Sequence, residues 1–462
     1  MVRRLCLALA LACLALVAAA RPAGANGRPP GTSSITFRHG HESDIAVGLT
    51  FGLLISRDAG NTWAWICESA VGYGGTYDPD YAFSASGALF ASTFDGLKVS
   101  RDSCTFGGTS SGTAFVATQL FGPDNALYVA ASQVADPAHG IPGDFNIYRS
   151  TDDGKTFPTI GQPPGAVSWW QSLAVAPSDP ERLYLTGYRF VPDPSGPGTV
   201  KEQLVFRSDN GGTSWIALPI TDFTVMPNSA IDIVGIAKDN PDHLYARVEL
   251  DDNQVSDSIY RSTDKGAHWT KINHKQTAIK AFLVRDNGDL IAGTQVLGAE
   301  ISHDDGDSWT ALVDPPHMNC LVENAAHEIW ACTQNYGRPT VPSDDAGIMK
   351  NTDLVNWTKV LRYQDLKDAV PCAAGTIQQD TCAALWCATC AQLECQPSAS
   401  YGCAQADPPD PIEPVEAPPQ RKAGCCDSGS GGAGALALGL AIGTLVLRPR
   451  RGRLAGASRR EP

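Results

Sequence analysis

What this 462-residue chain has little of narrows its chemistry before any motif is read. Charged residues make up only 18% of it, and acids outnumber bases by 49 to 35. With Arg3, Arg4, the six arginines of the C-terminal tail and Glu461 set aside, the formal charge falls from -14 to about -21. That acidity, with no basic stretch interleaved with aromatics, argues against nucleic acid and anionic lipid as ligands of the body. There is a single C-x-x-C, Cys387-Ala388-Thr389-Cys390, with no second pair, no histidine nearby and no βαβ pattern around it. That argues against both a zinc site and a redox pair. The stretch Asp251-Asp252-Asn253-Gln254-Val255-Ser256-Asp257 lacks the order of an EF-hand loop and reads as a solvated acidic loop rather than a calcium site. No metal and no cofactor are expected.

Long apolar runs are confined to the two ends. Arg3 and Arg4 precede the run from Leu5 to Ala20, and small residues offer cleavage after Ala20 or Ala25, which makes residues 1–25 a secretory signal peptide. At the other end a Pro/acidic linker (408–424, densest from Pro408 to Pro419) leads to Cys425-Cys426 and a Gly/Ser stretch. The apolar run Ala433 to Leu447 follows, closed by Arg448, Arg450, Arg451 and Arg453. Its fifteen residues fall short of the roughly 20 that span a bilayer. Snorkelling arginines extend it, and their charge would keep that end cytoplasmic.

What is abundant is turns: 45 Gly and 32 Pro, with one phrase repeated seven times. The phrase is Ser/Thr, any, Asp, any, Gly, any, Thr/Ser, aromatic. It runs from Ser56 to Trp63, from Ser150 to Phe157, from Ser208 to Trp215 (with Asn210 in place of Asp), from Ser262 to Trp269 and from Ser302 to Trp309. Two copies are one residue short, Ser100 to Phe106 and Asn351 to Trp357. The acidic position falls at Asp58, Asp102, Asp152, Asn210, Asp264, Asp304 and Asp353, at intervals of 44, 50, 58, 54, 40 and 49 residues. A repeat in this range signals a propeller or solenoid. Each copy follows one β-rich run and precedes another, so it is a hairpin turn in which the carboxylate accepts amide hydrogens and glycine takes the positive-φ position. A carboxylate so occupied has a lowered pKa and no free catalytic role. Four short strands per repeat, seven times, is an all-β seven-bladed β-propeller over residues 33–363, with the mode of ring closure open.

This phrase resembles the Asp-box, the BNR repeat of sialidase-like (YVTN-type) propellers, closely in five copies and partially in two. The C-terminal arrangement of Cys, small residues, short membrane helix and Arg cluster resembles the MYXO-CTERM sorting signal over about residues 424–453. That resemblance implies processing and lipid attachment at Cys425 or Cys426 by the export and C-terminal sorting machinery, with the body displayed at the cell surface. An uncleaved membrane helix is the alternative. Either way the protein is exported and tied to the envelope.

Ten cysteines remain in the exported body, where disulfides persist. Cys320 and Cys332 sit on successive strands of one blade, where they can pair across them. Cys67 and Cys104 end the last strands of neighbouring blades and are a second candidate pair. Cys372, Cys382, Cys387, Cys390, Cys395 and Cys403 lie within 32 residues and define a disulfide-stapled module over 364–407, with fifteen connectivities open.

Propellers bind at the mouth of the axial channel, on the loops between blades and between the middle strands of a blade. Long insertions run from Val134 to Asp144, Val191 to Glu202, Leu250 to Asp257 and Tyr336 to Asp345. The ligand candidates are Tyr73, Tyr77, Asp78 and Asp80 between the first two blades, Trp169 and Trp170 opening the fourth, and Arg189, Tyr336 and Arg338 on later loops. Aromatics beside acids suit carbohydrate stacking, and equally suit loop packing. The expected function is a surface-anchored binding module for an extracellular glycan or protein. A glycoside hydrolase is second, since sialidases and xyloglucanases share the Asp-box, and an assembly or chaperone factor like the photosystem II stability factors is third. The sialidase Phe/Tyr-Arg-Ile-Pro signature is missing, because Phe37-Arg38-His39-Gly40 departs after Arg. The axial arginine candidates Arg38, Arg189, Arg247, Arg285 and Arg338 share no motif. A xyloglucanase-like carboxylate pair would draw on Asp78, Asp80 or loop acids.

Overall fold

In the computed structural model, residues 28–74, 77–165, 169–251, 255–401 and 403 are described. The expected signal peptide, linker and sorting segment with Cys425 and Cys426 lie outside them. Seven antiparallel sheets follow one another along the chain, each built from consecutive strands. Their first strands are Thr32–Arg38, Tyr81–Phe83, Val116–Phe121, Trp169–Ala176, Ala230–Ile236, Ile279–Val284 and Cys320–Glu323. Each touches the first strand of the next sheet, and the seventh touches the first, so these strands ring a common axis. The architecture is a seven-bladed propeller.

Burial explains the strand sequences. The middle strands are covered by neighbouring blades on both sides, so they read as unbroken apolar or small runs: Leu127–Ala131, Leu290–Thr294 and Gly52–Ser56 are buried at every position. Tyr128, Tyr184, Tyr245 and Trp330 fill the layers between blades, each side chain contributing about 2 kcal/mol of apolar burial. The third blade departs from the four-strand plan. Its outer strand is reduced to a bridge between Tyr148 and Thr159, because Pro158, Pro163 and Pro164 lack the N–H a ladder needs.

Each repeated phrase joins the third strand of a blade to the fourth and works as the turn its residues dictate. In the first copy, Ser56 Oγ donates to Asp58 Oδ1 (2.8 Å) and accepts from Gly60 N (2.9 Å), while Thr62 N and Oγ1 donate to the two carboxylate oxygens. The pattern recurs at Asp152, Asn210, Asp264 and Asp304. The short copies keep the amide bonds to Asp102 and Asp353, with the Ser100 hydroxyl still donating to Asp102 (3.1 Å) and the Asn356 side-chain amide to Asp353 (2.8 Å). Hydrogen bonds from the Ser308 hydroxyl and amide hold the Asp304 carboxyl down to about 2. The glycine is required twice over. Gly306 has φ +91°, and a Cβ there would lie 2.5 Å from Ile272 Cδ1 of the preceding blade.

The ring closes without strand exchange between its ends. Thr32 Oγ1 donates to Gly347 O across the seam (2.8 Å), and the chain leaving the seventh blade crosses to the first. There Asp368 and Ala369 add a fifth, parallel strand beside Ala64–Trp65. Two disulfides lock this crossing, Cys67–Cys382 to the first blade and Cys104–Cys372 to the second. The expected Cys67–Cys104 pair is therefore incorrect. The two residues sit on separate blades and each faces the returning chain instead. The Cys-rich segment is accordingly not self-contained: Cys387–Cys403 and Cys390–Cys395 are internal, while Cys372 and Cys382 bond outward. The Cys320–Cys332 pair is as expected from its cross-strand register. The helix Ala383–Gln392 packs Trp386 onto Trp65, ring centroids 5.2 Å apart. Among the described residues no helix is long and apolar enough to cross a membrane.

Candidate functional site

Strand alternation assigns every loop to one of two faces. The seven repeat turns and the loops between first and second strands lie on one face. The loops between blades, and those between second and third strands, lie on the other. The described residues of all four long insertions and of the 73–80 loop belong to this second, insertion face.

The expected site residues divide there. Tyr73 is half-buried, its hydroxyl donating to Leu49 O and Gly52 O (both 3.3 Å), which makes it a loop anchor. Trp170 is buried and its indole N–H donates to Phe145 O (3.1 Å). Tyr336 is spent on the seam, donating to Leu393 O (2.6 Å). Arg189 pairs with Glu202 opposite it on the long hairpin of the fourth blade (2.5 Å), and Arg338 is exposed beside Gly31. Asp78 receives Arg28 bidentately at 2.6 and 2.8 Å. Asp80 immediately precedes the inner strand Tyr81–Phe83 of the second blade, open to solvent on one side yet walled by protein on the others. That desolvation, followed by the charge of Asp78, raises its carboxyl to about 6.

Tyr77 and Trp169 do converge, through two residues that the sequence reading missed. Tyr77 lies 4.7 Å from Phe94 and 5.4 Å from Phe115, centroid to centroid; Phe94 stacks on Phe115 at 5.0 Å, and Phe115 meets Trp169 edge-on at 6.2 Å. Val134, Ile141, Asp95, Thr113, Ser132 and Gln133 complete a shallow groove of about 490 Å³. Phe94 is 55% exposed and Val134 57%. The signal for Phe94 was present: an aromatic at the tip of Thr93-Phe94-Asp95-Gly96, a tight polar turn that needs no core residue.

Other constellations are structural. Arg247 at the mouth pairs through one guanidinium nitrogen with Asp232 and Glu249 (2.7 Å each), while Arg38 and Arg285 lie on the opposite face with Asp44 and Glu323. The five arginines therefore do not converge as a carboxylate-binding triad. Asp251 and Asp257 correct the solvated-loop reading, since both are buried. Asp251 binds Lys271 Nζ (2.7 Å), Ser256 and Ser258, and Asp257 accepts the Ile279 amide (2.9 Å). Ser258 also lies 2.9 Å from His274 Nδ1, but it is wholly buried and the carboxylate faces the serine itself, so it is no activated nucleophile. Asp286, Glu323 and His327 bring donor atoms within 4.8 Å of one another on the repeat-turn face. Lys238 and Arg285 already pair with those carboxylates, leaving a neutralised cluster rather than a cation site.

The sequence matches no family model and no curated protein. Among solved structures it is similar to the extracellular domain of a one-component system of B. thetaiotaomicron, at 13% identity and TM-score 0.46, over 66% of this chain and 37% of that one. It is also similar to the GH74 xyloglucanase from Xanthomonas campestris (15%, TM-score 0.35, 70% and 57% of the chains) and to YCF48 from Cyanidioschyzon merolae (10%, 0.40, 66% and 93%). The chain thus spans well under half the length of the first of these.

Proposed function

We propose that this protein is an exported β-propeller, anchored to the cell envelope, that binds an extracellular glycan or protein on its insertion face. One observation carries the reading: the long loops and the exposed aromatic groove share the face opposite the repeat turns. Five disulfides joining all ten cysteines of the described body suit an oxidising compartment. Attachment through Cys425 or Cys426 and the apolar run to Leu447 is part of this proposal. Surface labelling of intact cells tests it, and unchanged display of the Cys425→Ala, Cys426→Ala double variant would rule out lipid-linked sorting. Binding is tested by presenting the purified mature protein to glycan and protein arrays, with Phe94→Ala alongside. A second reading, a glycoside hydrolase, draws on Asp80, a carboxyl raised toward neutrality as a general acid requires, with Asp78 nearby. Turnover of a polysaccharide that disappears in Asp80→Asn would favour it.

A further inference from the structure

The groove differs from an ordinary hydrophobic patch in what rims it. Three rings and two aliphatic side chains form its floor and walls, yet Thr113, Ser132, Gln133 and Asp95 stand along them, and no lysine or arginine is present. Tyr77 extends the row of rings toward Asp80 and the Arg28–Asp78 pair, so the net charge on this side is acidic. The rings are held in place before any ligand arrives: the Tyr77 hydroxyl meets Ser92 Oγ (3.0 Å) and donates to Val116 O (3.3 Å), and Phe115 is clamped between Phe94 and Trp169. Little ordering entropy is left to lose on binding.

We propose that this groove, between the second, third and fourth blades, binds the interior of a neutral glycan chain, the apolar faces of successive sugar rings lying along Phe94, Phe115 and Trp169. The inference rests on the binding function above and narrows its ligand. A pyranose presents C–H groups on its faces and hydroxyls at its edge, which matches an apolar strip bordered by hydroxyl, amide and carboxylate groups. Uronic or sialic acids would bring a carboxylate to a site with no cation to receive it, inside a body of about -21 charge. The groove is shallow and open along the surface, which suits a passing chain rather than a chain end.

Native gels cast with cellulose ether, galactomannan or polygalacturonate test this on the mature, oxidised protein. A parallel array carries uncharged peptides. Phe94→Ala and Trp169→Ala are compared with Val355→Ala, an exposed apolar position on the opposite face. The expected result is retardation by at least one neutral polymer but not by polygalacturonate, weakened roughly tenfold in each ring variant and unchanged in Val355→Ala. Retardation by polygalacturonate equal to or above that by neutral polymers overturns the inference. So does peptide binding that Phe94→Ala abolishes while no glycan binds, although that result leaves the binding-module reading intact. If neither glycan nor peptide binding responds to the ring variants, both fall.

Discussion

The two disulfides at the seam make a prediction that depends on the ring being closed. Cys67–Cys382 and Cys104–Cys372 enclose 315 and 268 residues, and the second loop lies within the first. Either bond alone removes denatured-chain entropy equivalent to about 5 to 6 kcal/mol as an upper bound. Once one exists, the other closes a residual loop of only roughly fifty residues, equivalent to about 4 kcal/mol. Removing either pair from the native protein should therefore cost about 4 kcal/mol, whereas removing both should cost about 10, more than the two single losses together. Cys320–Cys332, enclosing 12 residues, should cost about 3. Paired Cys→Ala variants would be compared by denaturant titration without reductant, following tryptophan fluorescence. If the double-pair variant is no less stable than the additive sum, the entropic account is wrong and the seam is held by packing of Trp386 and Trp65 instead.

Further perturbations test the turns and the mouth. Asp264→Ala deprives Ser262, the His268 amide and the His268 ring of an acceptor and should cost about 2 to 3 kcal/mol in denaturant melts. Asp264→Asn should cost under about 1, since Asn210 fills the same position naturally. The hydrogen bond to Asp264, then its charge, raises the His268 imidazole, so both variants should lower its NMR titration midpoint. Gly306→Ala should lose about 1 to 3 kcal/mol, because it combines a left-handed backbone with a clash against Ile272. Asp80 has a raised pKa in the folded state, so the folded protein binds its proton more tightly than the unfolded chain does. That stabilisation is full below the ordinary Asp value near 3.8 and is lost as pH rises to about 6. After allowance for solvent screening at the open mouth, Asp80→Asn should gain at most about 1 kcal/mol at pH 7 and nothing near pH 3.5, read from melting temperatures.

The repeat made the blades countable because each turn is local: eight consecutive residues contain the acceptor, the donors and the positive-φ glycine, and the sheets follow from spacing. Cys320 and Cys332 were readable for the same reason, as facing positions on adjacent strands. The seam was not readable. Cys67 and Cys382 are brought together only after seven blades have accumulated a full rotation, a property of the ring that no local pattern encodes. The groove lies between these cases. Tyr77 and Trp169 were recognisable as aromatics in loops, but Trp170 has the same signature and points into the core. Phe94, from a four-residue turn, becomes part of a site only because Phe115 of the next blade stacks on it.

This division has a physical origin in the two faces. On the repeat-turn face, one blade is tied to the next by charge: Arg101 and Ser86 of the second blade reach Asp153 of the third, and Arg261 of the fifth reaches Asp305 of the sixth. Packing of Ile272 against Gly306 adds to that tie. Side chains on that face are therefore committed to holding neighbours in register, and substitutions there should be read as stability changes. The insertion face is tied too, but at the roots of its loops, as where Asp257 of the fifth blade accepts the Ile279 amide of the sixth. Its hairpins extend beyond the blades, as the fourth blade's ladder does out to Pro192 and Thr199, and their tips can change length without moving the ring. An exposed Phe94 on the load-bearing face would be explicable as unfinished packing. On the insertion face it is stacked on Phe115 and left uncovered, which is what the proposed glycan groove requires of it.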